Sequence, residues 1–385
     1  MSYSTDFDEI RPFEGDEIPI AVERLLKEER FRNAVKFSIP DVNYDEFCTL
    51  MRSFKSTYDF QYNLIRPFLF GIANRSTSGL TITGLEHVSK EKSASYISNH
   101  RDIVLDAAFF NILLLHKGFD TTEVAIGDNL LIYPWINDLV RINKSFIVQR
   151  GVLKRQILEV SKRLSSYIHY VINEKKGSIW IAQREGRAKD SNDRTQESLL
   201  KMLSLGGSSN FLGNIKGLNI TPLSISYEYD PCDYLKAAEF QLKRDDPEYK
   251  KQDIDDLRNM ETGLFGFKGK VNFHIGNPIN PNIDTISPDL DRNSQIVAVG
   301  KLIDHEIHKN YLIYPVNYIA YDLLQKTSRF SEQYTQKEKS AFKDYLNKCI
   351  DKIEISNKDV EFLTIKLLEM YANPLKNKLI TQEGK

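Results

Sequence analysis

His100, Asp102 and Asp106 are the residues whose types and spacing suit proton transfer. They stand in Asn99-His100-Arg101-Asp102-Ile103-Val104-Leu105-Asp106, where a short apolar strand pattern gives way to an apolar helical one. An imidazole in such a turn lies at the carboxyl end of a strand, where α/β sheets place ligands. A carboxylate in the first helical turn can reach back to one ring nitrogen. It would fix the tautomer, stabilise the imidazolium and leave the other nitrogen free to take a proton from a hydroxyl. Base catalysis of this kind contributes about 10²–10⁴ in rate. Taken alone, the group also has a plainer reading, with Asp102 as a helix N-cap and His100 as a satisfied loop histidine.

Three further segments carry polar residues at predicted strand ends. Gly127-Asp128-Asn129-Leu130 is followed by Phe146-Ile147-Val148-Gln149-Arg150, which puts Arg150 where a guanidinium can grip phosphate through two parallel hydrogen bonds. Gln183-Arg184-Glu185-Gly186-Arg187-Ala188-Lys189 directly follows the strand pattern SIWIA. Gly186 permits a tight turn there, and Arg187 and Lys189 can then approach a ligand. The fourth segment, Thr221-Pro222-Leu223-Ser224-Ile225-Ser226-Tyr227-Glu228, is an apolar strand able to line a chain-binding surface.

The elements that must position these residues alternate. Strands are predicted at 93–99, 123–127, 145–150, 178–182, 218–229 and 270–276, with a mostly apolar helix over 102–116 and another marked by Leu153, Ile157, Val160, Leu164, Ile168 and Val171. Pro222 places the strand at 218–229 on an edge, or at a strand start. The prediction is an α/β fold: a mixed, mostly parallel sheet flanked by helices, with N-terminal and C-terminal helical extensions. The domain reading is 1–75 helical, 76–285 the α/β domain, and 286–385 helical. Within 1–75 one helical face is expected over 20–35 and another over 44–65 that stops near Arg66-Pro67. FLFGIAN at 68–74 reads as core rather than a lipid-touching helix end. Pro315 and Pro374 break the last region, and the final TQEGK is expected to be disordered.

Composition narrows the class. The chain has 385 residues, 41% hydrophobic and 27% charged, with a net charge of −1. That balance argues against a nucleic-acid partner. Three dispersed cysteines form no disulfide framework and point to a reducing compartment. No apolar run approaches the ~20 residues of a membrane span, and the acidic start does not resemble a secretory signal. Residues 141–194 hold thirteen Lys and Arg against five Asp and Glu, which suits an anionic ligand.

Other signals are weaker. His100-Arg101-Asp102 matches the kinase tripeptide but lacks its companion motifs. Gly263 to Lys270 departs from a phosphate loop in its glycine gap and at Val271. His305 and His308, one turn apart, read as a solvated helix face rather than a metal site. Acidic neighbours disfavour a Cys232 thiolate.

The four segments resemble, in order and spacing, the four blocks of the glycerol-3-phosphate and lysophosphatidic acid acyltransferase superfamily: a His-x4-Asp block, a Gly-rich block ending in Arg, a Glu-Gly-x-Arg block and a Pro-containing strand. GDNLL…FIVQR and EGRAK carry most of the likeness, which spans roughly residues 93–230, with KGKVNFHIGNPIN resembling a later family strand. The resemblance implies that His100 deprotonates an acceptor hydroxyl that attacks an acyl thioester. It implies that Arg150 and Arg187 hold the acceptor phosphate and that Glu185 shapes the site. Asn129, Gly186 and Lys189 are taken with them as substrate-binding residues.

The implied function is transfer of a fatty acyl group from acyl-CoA or acyl carrier protein to glycerol-3-phosphate, or next to lysophosphatidic acid, in phospholipid synthesis. No metal or bound cofactor is called for. The implied location is the cytoplasm, with peripheral contact to the inner membrane through residues 66–72 and the apolar face of the fourth block. An amino-acid lipid acceptor and an inactive lipid-binding protein of the same fold are the alternatives. One departure stands out: five residues separate His100 from Asp106 where the family has four, and one separates it from Asp102. Asp106 is preferred as partner, because Asp102 suits an N-cap.

Overall fold

The computed structural model describes residues 5–383. Seven strands among them form one sheet: β1 (Gly79–Thr83), β2 (Ser95–Ser98), β3 (Glu123–Gly127), β4 (Ser145–Val148), β5 (Ile179–Ala182), β6 (Ile220–Tyr227) and β7 (Lys270–Ile275). Their spatial order is β1-β7-β6-β2-β5-β3-β4, and every pairing is parallel except β6 with β7. The fold is therefore a mixed, mostly parallel α/β sheet flanked by helices.

The helices are α1 (Glu17–Lys27), α2 (Glu29–Ser38), α3 (Tyr44–Ser53), α4 (Thr57–Phe60), α5 (Arg66–Ser76), α6 (Leu105–His116), α7 (Pro134–Ile142), α8 (Ile157–Asn173), α9 (Glu197–Leu203) and α10 (Phe211–Lys216). The second half adds α11 (Asp233–Asp245), α12 (Asp253–Phe265), α13 (Asn280–Ile283), α14 (Arg292–Lys309), α15 (Pro315–Gln325), α16 (Gln336–Asp351) and α17 (Val360–Glu383).

Burial on both faces explains why the strand segments read as nearly continuous apolar runs. Ile97, Ile179, Ile181 and Ile220 face Leu164, Ile168 and Val171 of α8 and Ile296, Val299 and Ile303 of α14. Their neighbours Tyr96, Trp180, Leu223 and Phe273 face Leu105, Phe109, Phe110 and Leu113 of α6 and Leu69, Ile72 and Ala73 of α5. Two more cores lie outside the sheet. One joins α1–α3 to Ile142 of α7, and the other joins α11 to α15–α17.

Several local expectations change. The helix expected over 20–35 breaks at Glu28, which is extended, so that Leu25 and Phe31 both reach one core. The next helical stretch does not stop at Arg66-Pro67. It breaks at Phe54–Ser56, restarts at Thr57 and runs through a π turn at 61–65 straight into α5, so Pro67 lies within a continuous helical run directly after the π turn. Strand β1, short and at the sheet edge, is not evident in the sequence. Pro222 lies inside β6, an interior strand, rather than on an edge. It is the third residue of β6 and faces Gly276, one residue past the end of β7; its carbonyl accepts from Gly276 N at 2.8 Å, and the return bond that its absent N–H would make falls at the end of that pairing. Pro374 lies within α17, where burial of Tyr371, Ala372 and Leu375 on either side offsets the cost of a helix-interior proline, about 3 kcal/mol. That helix carries Thr381–Glu383 of TQEGK; Gly384 and Lys385 lie outside the described residues.

Candidate active site

The sheet order brings the polar segments to one end. His100 follows β2, Glu185 and Arg187 follow β5, Asn129 follows β3 and Arg150 follows β4. These strands are neighbours and parallel, so their carboxyl ends open side by side.

Asp106, fully buried in the first turn of α6, accepts three hydrogen bonds at Oδ2: His100 Nδ1 at 2.8 Å, Arg101 N at 2.6 Å and Asp102 N at 3.1 Å. The extra residue between His100 and Asp106 is absorbed by the loop at 101–104, which aims both amides at this one oxygen. Asp102 has a separate task. Its Oδ1 accepts from Val104 N at 2.9 Å and Leu105 N at 2.7 Å, leading the chain into α6. With Nδ1–H donated to Asp106, the neutral ring carries its lone pair on Nε2, which has no partner among the described residues. Burial, and then the nearby Asp106, push the Asp102 carboxyl upward against the pull of its two amides. Trp180 of β5 packs edge-on to the imidazole at 5.7 Å. Burial, and then Asp106 and Asp102, hold the Tyr227 phenol far above its ordinary range; Tyr227 was not evident in the sequence as a neighbour of this carboxylate.

The cationic side is unevenly neutralised. Gly186, just before Arg187, takes a left-handed turn, φ 66°. Arg187 Nη2 donates to Asn259 Oδ1 of α12 at 3.0 Å, while its Nη1 is buried with no partner among the described residues. Lys189 pairs with Glu239 of α11, and burial, opposed by Glu239, pushes its ammonium down to about 8. Arg150 Nη1 stands 3.5 Å from Glu185 Oε1, and its backbone N–H donates to Asp128 Oδ1 at 3.1 Å. Its guanidinium crosses Gly127 so closely that a Cβ there would sit 2.7 Å from Nε and 2.5 Å from Asn129 Oδ1.

His100, Asn129, Arg150, Glu185, Gly186, Arg187 and Lys189 all line one cavity of about 1300 Å³, with Asp106 directly behind the imidazole. Its remaining wall is mostly apolar and comes from elements that local sequence did not connect with the site: Phe37 of α2, Trp135 of α7, Val160 of α8 and Met260 of α12, among others. The fourth block does not take part. All eight residues of β6 are buried, none of them lines the cavity, and none offers a face to a membrane. Leu69 and Ile72 are buried in the core, as expected of FLFGIAN, while Pro67 is exposed and Arg66, Phe68 and Phe70 are half-buried. His308 is buried rather than solvated, because its ring serves the Asp193 backbone. No helix among the described residues is long and apolar enough to cross a membrane.

An unpartnered imidazole nitrogen, a carboxylate behind it and a part-free guanidinium thus stand together at the carboxyl ends of parallel strands in an α/β sheet. Residues 79–208 match the model of the Acyltransferase family. Among solved structures, the 1-acyl-sn-glycerophosphate (LPA) acyltransferase PlsC from Thermotoga maritima is similar at 15% identity, covering 74% of this chain and 92% of that chain, with a TM-score of 0.33. No curated protein matches the chain.

Proposed function

We propose that the protein transfers a fatty acyl group from an acyl thioester, acyl-CoA or acyl carrier protein, to the hydroxyl of a glycerol phosphate. Glycerol-3-phosphate is the first choice and lysophosphatidic acid the second, within phospholipid synthesis. The observation that carries this reading is that His100, backed by Asp106, shares one largely apolar cavity with Arg187, whose buried Nη1 awaits an acceptor. In the proposed step, His100 Nε2 takes the acceptor hydroxyl proton as its oxygen attacks the thioester carbonyl. The C–S bond then breaks, and the imidazolium returns the proton to the departing sulfur. Arg187, with Arg150 and Lys189, holds the phosphate, Glu185 and Asn129 set the position of Arg150, and the apolar wall takes the acyl chain. Phe37 and Phe265, both exposed and both lining the cavity with rings 6.1 Å apart, support peripheral membrane contact at this mouth. We assign the chemistry to 76–285. The helical regions 1–75 and 286–385 join the same unit, since α2 lines the cavity and α14 packs on the sheet.

The test supplies purified protein with radiolabelled glycerol-3-phosphate or lysophosphatidic acid and a series of acyl-CoA and acyl carrier protein donors. Labelled product that disappears in His100→Ala is the expected result. Absence of product with every donor and acceptor overturns it in favour of a lipid-binding protein.

A further inference from the structure

The segment at 190–195, which follows the Arg187 block, is gripped by the C-terminal helices. Asn373 of α17 donates to the Asp190 carbonyl at 2.8 Å, and Arg194 donates to Asn377 Oδ1 at 3.2 Å. Thr195 N and Oγ1 donate to Asp304 of α14 at 2.8 and 2.7 Å. Asp193 is held twice: Tyr311 Oη donates to its Oδ2 at 2.5 Å, and His308 Nε2 lies 2.8 Å from its carbonyl. Burial pushes the His308 ring down to about 4, so it is neutral and donates from Nε2, with Nδ1 left to accept from Arg194 at 3.3 Å.

On its other side Asp193 takes both arms of Arg101, at 2.9 and 2.6 Å, and both side chains are buried. Arg101 is the residue after His100. Its own backbone N–H is the 2.6 Å donor to Asp106, and its carbonyl accepts from Lys236 Nζ at 3.1 Å. One residue thus carries an ion pair to the C-terminal region and a hydrogen bond to the carboxylate that orients the imidazole. A buried ion pair is a poor source of net stability, since an apolar pair of similar volume often serves as well. What the bidentate geometry adds is a single orientation for the loop.

We propose that Asp193, held by Tyr311 and His308, is a positioning residue. Through Arg101 it fixes the loop whose amides hold Asp106, and so the direction and tautomer of His100. The C-terminal helices thereby act on the chemistry without touching the cavity at this point. The inference rests on His100 being the base of the acyl transfer proposed above.

The test uses the full chain labelled with ¹⁵N-histidine, in wild-type, Asp193→Asn and Tyr311→Phe forms, with His100→Ala assigning the signals. Tyr311→Phe removes one hydroxyl and keeps the ring, so it tests the idea even where Asp193→Asn fails to fold. The wild type is expected to show His100 protonated at Nδ1. Tyr311→Phe is expected to mix the two tautomers and lower kcat about tenfold, less than the ~10²-fold cost of a 1 Å misplacement, with acceptor KM within about twofold. A folded Tyr311→Phe protein with the wild-type tautomer signal and kcat overturns the proposal. Should the wild type transfer no acyl group while Tyr311→Phe still changes the His100 signal, the functional reading fails and the positioning role stands.

Discussion

Gly263 of α12 and Asp102 of the loop after His100 touch so closely that a Cβ on residue 263 would stand 2.0 Å from Asp102 Oδ2. Asp102 cannot swing away freely, because its Oδ1 holds the Val104 and Leu105 amides. Gly263→Ala should therefore push Asp102 out of its cap and strain the turn that follows His100. The expected cost is about 1–3 kcal/mol, typical of overpacking, read as a lower denaturant midpoint with an unchanged slope. A midpoint equal to wild type would show that α12 can retreat.

Asp106→Asn keeps the shape of the buried carboxylate but removes its charge. The amides of Arg101 and Asp102 retain an oxygen to bind, whereas the imidazolium loses its counter-charge. A kcat fall of about 10²-fold or more, within the range of base catalysis, is expected with little change in acceptor KM. Asp102→Asn should by contrast reduce stability more than kcat. The reverse ranking in steady-state assays would reassign the partner of His100.

Arg187 and Arg150 differ in what already occupies them. Arg187 has a buried Nη1 with no partner among the described residues, while Arg150 has Glu185 3.5 Å away and is more exposed. A hydrogen bond to a charged group is worth about 1.5–3 kcal/mol, so Arg187→Ala should raise acceptor KM on the order of tenfold to a hundredfold. Arg150→Ala should raise it less. Unchanged KM and rate in Arg187→Ala would remove that residue from the site.

If Lys189 holds the acceptor phosphate as proposed, acceptor capture is expected to depend on pH. Burial puts its ammonium at about 8, below the ordinary 10.5. The charge that attracts phosphate is lost as pH rises through about 8, so kcat/KM for the acceptor should decline above that point. Stability moves the other way. Between about 8 and 10.5 the unfolded chain binds this proton and the folded one does not, so the Lys189 contribution to stability grows with pH across that window. Declining kcat/KM alongside a steady or rising melting temperature is the expected pattern, and Lys189→Arg should flatten the decline. The same decline persisting in Lys189→Arg would point to another group.

Much of the site's setting is legible locally. The strand-to-helix switch at Asn99, the strand before Gln183 and the left-handed turn at Gly186 follow from apolar pattern and glycine chemistry within a few residues. Strand β1 is not legible in this way, because a five-residue edge strand owes its existence to pairing with β7, far along the chain. The interior place of β6 is hidden for a similar reason. Pro222 is accommodated because the one bond it cannot make falls opposite Gly276, at the end of the pairing with β7.

From the sequence alone come the residue types, their order and the end of the sheet at which they emerge, since each depends on short-range pattern and on the rule that parallel strands open ligand sites at their carboxyl ends. Which carboxylate meets the imidazole, which cations stay unpaired and what walls the cavity are decided only by tertiary structure. The path of the 101–104 loop sends Asp106 rather than Asp102 to His100, Asn259 and Glu239 arrive from distant helices to occupy Arg187 and Lys189, and α2, α7 and α12 close the apolar wall. His100 and Asp106 are only six positions apart, but the other contacts join residues tens to hundreds of positions apart, and no local preference encodes a contact whose energy exists only once the sheet and its covering helices have assembled.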